Sequence, residues 1–127
     1  MKPNPYETYR KSNIETSSPG RLVVMCFEAA VRHMRVFSEA VRNRRIEDAH
    51  HAAIKSQRIL LELSLALDPE RGGEIAAILH QAYDRLRYRM VTANLKKDAE
   101  AGDAIAKDLD ELRATWEEIF KKESGHV

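Results

Sequence analysis

The chain has little of what breaks or staples a polypeptide: one cysteine, four prolines and five glycines in 127 residues. A lone thiol forms no internal disulfide and suits a reducing compartment. Cys26, inside the apolar run LVVMCFEAAV, reads as a buried, inert thiol. Proline and glycine cluster near the ends and in two short patches, which leaves long uninterrupted segments for helices. Net charge is only +1, so no strong global field favours nucleic acid or an anionic membrane. No apolar run approaches membrane-spanning length, and no leading segment has the basic-then-apolar form of a signal peptide. The expectation is a soluble, cytoplasmic protein with no membrane insertion. Against these shortages stand 43% hydrophobic and 32% charged residues, a globular composition for about one domain.

Periodicity predicts four helices and no strand. Ser18 caps the first, with Pro19 at its first helical position, and Val23, Phe27, Ala30, Met34, Phe37 and Val41 follow on one face. The second runs from about Ile46 to Leu67. Beside its main seam lies a second line, Ile54, Leu61 and Leu65, widening the apolar arc to about 240° where a surface helix needs little more than about 100°. Pro69 and the Gly72-Gly73 pair in LDPERGGE separate it from a third helix, about Glu74 to Leu95. Asp98 caps the fourth, in which Gly102 is a weak point and Ile105, Leu109, Leu112, Trp116 and Ile119 share a face. Short connections favour antiparallel neighbours, so the expected fold is all-α, an antiparallel four-helix bundle over 18–122. An extended or short-helical N-terminal arm, 1–17, precedes it and a frayed tail, 123–127, follows.

Chemistry finds little support. Glu47-x-x-His50 has the spacing of a di-iron ligand pair, but the other match, Glu123-x-x-His126, lies in the tail, and the seams read Leu, Ile and Ala. No metal or cofactor is expected. His33 lacks the Lys-Gly pair of histidine phosphotransfer modules, and no serine sits on a strained nucleophile turn. Arg85, Arg87 and Arg89 around Tyr88 invite a nucleic-acid reading, yet alternate helical residues diverge, and an ion-paired solvated face explains them. The expectation is neither an enzyme nor a nucleic-acid binder.

Apolar surface remains. Ile78, Tyr83 and Met90 fall beside the third helix's seam, as Leu61 and Leu65 do on the second, more than a minimal bundle must bury. The leading segment NPYETYRKSNIETSSPG carries Tyr6, Tyr9 and Ile14 without a fold of its own. Such an arm either lies in an apolar groove, to be displaced by a client, or packs permanently as a cap.

Two stretches carry a family resemblance: YRKSNIETSSPGRLVVMCFEAA, and LDPERGGEIAAILHQAYDRLRYRMVTANLKKD with its Gly72-Gly73-Glu74-Ile75-Ala76, Tyr83-Asp84 and Ala93-Asn94-Leu95 at fixed separations. With Trp116 in LRATWEEI, the chain resembles the flagellin-specific export chaperones of bacterial flagella, the FliS family. It departs at Ala82, where members usually have leucine, and in Cys26-Phe27-Glu28-Ala29. The resemblance implies a bundle without catalytic activity that binds the C-terminal segment of flagellin. It also implies that the bundle prevents premature polymerisation and presents the client to the flagellar type III export gate. Tyr9 and Ile14 then form a displaceable groove cover, and Leu61, Leu65, Ile78, Tyr83, Leu86 and Met90 line the groove. Tyr83 and Asn94 come from the family motifs and are open to a structural role, Asn94 by finishing the third helix. The rival reading is a generic helical adaptor or self-assembling bundle without flagellin specificity.

Overall fold

The computed structural model describes residues 19–124. These form four helices: α1 (Pro19–Arg42), α2 (Ile46–Leu65), α3 (Pro69–Lys96) and α4 (Ala99–Ser124). No strand occurs among the described residues, so the all-α expectation holds. The expected arm, with Tyr6, Tyr9, Ile14 and the Ser18 cap, lies outside them.

Each connector is only two or three residues, which folds every helix back along its predecessor. α1 packs on α2 and α4, α2 on α3, and α3 meets α4 over the smallest of the four interfaces. α1 and α3 therefore stand on a diagonal. Their side chains bridge it: the Phe27 and Tyr83 rings lie 6.0 Å apart, tilted by 56°. Phe37 and Met34 of α1, Leu60 of α2, Met90 of α3 and Ile105 and Leu109 of α4 complete a sealed interior. Two buried hydroxyls draw helices together without leaving a polar atom unpaired. Ser56 Oγ donates to the Ala30 carbonyl (3.1 Å), and Ser38 Oγ to that of Ala99 (3.0 Å).

Gly102 corrects an expectation. Rather than a weak point in α4, it is a close-packed point against α1, since a Cβ there would meet Ser38 Oγ and lie 2.7 Å from Phe37 Cδ2. Only a hydrogen fits.

α2 ends two residues before the expected Leu67 and α3 begins earlier than Glu74, because Asp68 is a strong helix starter. Its Oδ1 accepts from the backbone N–H of Glu70 at 3.0 Å and of Arg71 at 3.4 Å, and Pro69 follows at the first helical position. The first turn of α3 then breaks at Gly73, whose φ of 50° and ψ of −124° no side-chain-bearing residue adopts comfortably. Lys97, at φ 49°, ends α3 in the left-handed region, and the Asp98 N–H closes on the Ala93 carbonyl at 2.9 Å. Asp98 then caps α4, its Oδ1 accepting from the Ala101 N–H at 3.0 Å, as its sequence position suggests.

Candidate functional site

Two cross-helix hydrogen bonds set the register of α2 against α3. Ser64 Oγ and His80 Nδ1 share one at 2.6 Å; Asn94 Nδ2 donates to His50 Nδ1 at 2.9 Å in the other. The two bonds are equally far apart along both helices, so the pair runs antiparallel without slippage. Lys97 Nζ donates to the side-chain oxygen of Asn94 (2.8 Å), which fixes the amide with its nitrogen toward His50. An amide nitrogen only donates, so His50 carries its proton on Nε2. Asn94 thus joins two helices as well as finishing one: its carbonyl accepts from the Lys97 N–H at 3.2 Å.

On this frame α2 turns Ser56, Leu60, Leu63 and Ser64 inward. One residue beyond Leu60 and Ser64, Leu61 and Leu65 swing outward; Leu61 is half-buried and Leu65 is 74% exposed. α3 turns Tyr83, Leu86, Met90 and Ala93 inward, and its outer face carries Tyr88 (73% exposed), Val91 and Leu95 (80% exposed) at steps of three and four. The register sets the turn of α2 holding half-buried Ile54 opposite the turn of α3 holding Tyr88 and Val91. The outer α2–α3 face thus carries Ile54, Leu61 and Leu65 of α2 and Val91 and Leu95 of α3 as an apolar strip interrupted by the Asp84–Arg87 ion pair. Tyr88 stands at its edge, where it also borders a hollow toward α4.

Ile78, 64% exposed, belongs to the other flank of α3. One turn further on, Ala82 opens a concavity of about 390 Å³ toward α4, walled by Leu86, Leu112 and Thr115 and crossed by the Arg89–Asp108 ion pair at 2.7 Å. A leucine at position 82 would fill part of this space; alanine leaves it. Beyond Arg89 the groove continues into a second hollow of about 290 Å³ floored by Ala93, Ala101 and Ile105.

The site residues expected from sequence therefore separate. Leu65 and Ile78 are exposed and Leu61 partly so, on two different flanks. Tyr83 and Met90 are corrected: they are core with no exposed area, whereas Leu86, though buried, also walls the α3–α4 concavity. The inward stripe of α3 takes them because the diagonal from α1 to α3 is wide enough to need a full ring. Tyr88, Val91 and Leu95 are the exposed apolar residues of α3 that the expected groove lining lacks, although their spacing on the side opposite the seam is legible in the sequence. Of the motif residues, Gly73 makes the α3 break, Asp84 lies 3.4 Å from Arg87 and 3.6 Å from His80, and Trp116 is buried. Gly72 gives its N–H to the Asp68 carbonyl at 2.8 Å, and Glu74 is exposed.

Burial, then the Glu62 carboxylate, push the Cys26 thiol above its ordinary pKa, which suppresses the thiolate. Ser64, His80 and Asp84 are the residue types of an acyl-transfer triad, but Ser64 is buried in the α2–α3 seam, where its hydroxyl holds helices together. Among the described residues no three His, Cys, Asp or Glu gather to hold a metal ion, and no helix is long and apolar enough to cross a membrane. Arg87 and Arg89 are ion-paired, as the solvated-face reading of the arginine run expects.

The family model for the flagellar protein FliS matches residues 2–123. The chain belongs to the FliS family. It is 28% identical over 120 residues to the flagellar secretion chaperone FliS of Bacillus subtilis, covering 94% of this chain and 89% of that one. It is 29% identical over 121 residues to the flagellar secretion chaperone FliS of Salmonella typhimurium, covering 90% and 85%. A solved structure described as a flagellar chaperone from bacteria superposes with a TM-score of 0.77 at 23% identity, over 90% of this chain and 93% of that one, and supports the bundle fold. The FliS motif residues thus fall mainly at the joints of the bundle, and the apolar surface lies between them.

Proposed function

We infer that this chain is a cytoplasmic flagellar secretion chaperone. It holds the C-terminal segment of flagellin against its outer apolar surface, blocks premature polymerisation and hands the client to the flagellar type III export apparatus. The observation that carries the reading is the strip of Leu65, Tyr88, Val91 and Leu95, large apolar side chains that four packed helices leave in water. Each leucine removed from water by a docked helix contributes about 1.5–3 kcal/mol. An amphipathic client helix with apolar residues at three- and four-residue steps matches the strip, and a second one fits the Ile78–Ala82 groove. Ordering a disordered client offsets part of that gain, so the complex is built for release as well as capture. Its work is binding rather than catalysis.

The segment 1–17, with Tyr9 and Ile14, acts in this reading as the cover that the client displaces. Titration calorimetry with a flagellin C-terminal peptide tests the whole reading: one-to-one binding with a negative heat-capacity change is expected. A flat titration at several temperatures would sink it. Removing residues 1–14 is expected to raise binding of an apolar dye and change client affinity; if both stay constant, the segment is a permanent cap.

A further inference from the structure

We propose that the groove between α1 and α2 docks an acidic peptide segment of a partner protein, on a side of the bundle distinct from the α2–α3 strip. The groove encloses about 470 Å³ and receives Arg32 and Val36 from α1, Arg45 from the connector and Lys55 from α2. Three cations thus converge from three elements. The ion pairs among the described residues involve Arg42, Arg71, His80, Arg87, Arg89 and Arg113, and none of the three converging cations. Their field is felt within the groove: burial first, then Arg32 and Lys55, depress the pKa of His33, which lines it. The three cations outnumber the groove's two carboxylates, Glu39 and Asp48, and none is held in an ion pair among the described residues, so they are free to meet carboxylates brought from outside.

The occupant's chemistry follows from what lies among the cations. Val36 is 45% exposed between them, so the ligand has an apolar group flanked by acids. Glu39 and Asp48 also line the groove, so the occupant must place its acids at the cations and not between them. A continuous phosphate backbone cannot do so and has nothing to offer Val36. A peptide with glutamates either side of a leucine meets both demands. Over the ridge of α1, Arg32 and Val36 also line a second hollow of about 430 Å³, where Glu28, Glu39 and Asp110 balance Arg32, Arg35 and Arg113, so the positive excess belongs to the α1–α2 groove.

Position makes the groove a second site. α1 is diagonal to α3, and on α2 the flank holding Lys55 lies about 120° round from Leu61 at 100° per residue. Docking stands without the client reading; simultaneous occupancy rests on it.

The test uses the full-length protein and a fluorescent helical peptide of Glu-Leu-x-x-Glu repeats, its Glu-to-Gln counterpart and a short DNA duplex, each followed by anisotropy. The glutamate peptide is expected to bind at least about tenfold tighter than the glutamine peptide or the duplex. Arg32→Glu with Lys55→Glu, and separately Arg45→Glu in the connector, are expected to abolish that preference. All three residues are exposed, so the variants are expected to fold, which circular dichroism checks. Absent binding, equal binding of the two peptides, tighter DNA binding or an unaffected variant would each overturn the proposal. Flagellin-peptide affinity, measured in parallel, is expected to be unchanged in the variants. Acidic-peptide binding by a protein that ignores the flagellin peptide would leave the groove standing and remove the client reading alone.

Discussion

The side-chain amide of Asn94 donates to Nδ1 of His50 across 2.9 Å, joining the last turn of α3 to the first turn of α2. With Lys97 holding the amide oxygen, this single contact sets the amide's orientation, the histidine tautomer and the helix register together. A double-mutant cycle of Asn94→Ala and His50→Ala is expected to give a coupling energy of about 1 kcal/mol in chemical denaturation. Strictly additive effects would mean that the bond contributes nothing.

Surface and core leucines should part company. Leu65→Asp and Leu95→Asp are expected to leave the unfolding midpoint nearly unchanged and to weaken flagellin-peptide binding by roughly tenfold or more. Leu60→Ala, wholly inside, is expected to lower stability by about 2–5 kcal/mol. If Leu65→Asp unfolds the protein, the strip is core rather than docking surface.

Gly102→Ala adds a methyl group where Phe37 and Ser38 already touch the backbone of α4. Alanine's better helix propensity recovers about 1 kcal/mol, and overpacking costs about 1–3 kcal/mol, so a net loss of up to about 2 kcal/mol is expected by urea unfolding.

Gly73→Ala is the opposite case. No atom lies within 4 Å of the added Cβ, so only backbone strain at φ 50° opposes it. A loss of about 1–3 kcal/mol is expected, with no change in the environment of Trp116 by fluorescence. A neutral result would show that the break relaxes freely.

His33 gives the pH dependence. Its folded pKa is depressed, so the unfolded chain binds the proton more readily and stability rises with pH through the interval just below the ordinary histidine value. The penalty is fully present below the folded pKa and absent above the unfolded one. His33→Gln is therefore expected to flatten the stability profile between about pH 5 and 7. An unchanged slope would assign that dependence elsewhere.

The four helices were legible because Phe27, Met34 and Phe37, or Leu60 and Leu63, recur at three- and four-residue steps that admit one reading. Asp98 as a cap was legible too, being a local matter of one carboxylate and the next turn. Gly102 was not: a glycine inside a helical pattern looks like weakness until the neighbouring helix is in place. The surplus of apolar side chains on α2 and α3 was visible, and Leu65 and Ile78 are indeed in water. Which members of the surplus go inside depends on how each helix is rotated about its own axis. Tyr83 and Tyr88 stand about 140° apart round α3, and Met90 and Val91 about 100°, so choosing between them means choosing which face of α3 meets the core, and the neighbouring helices decide that.

The break at Gly73 divides α3 into a short leading turn, oriented by Asp68, and a long shaft, oriented by His50, Ser64 and the core. Asp68 therefore aims the leading turn at the α2–α3 corner while the shaft keeps its own direction along the core, two orientations that an unbroken helix could not satisfy together.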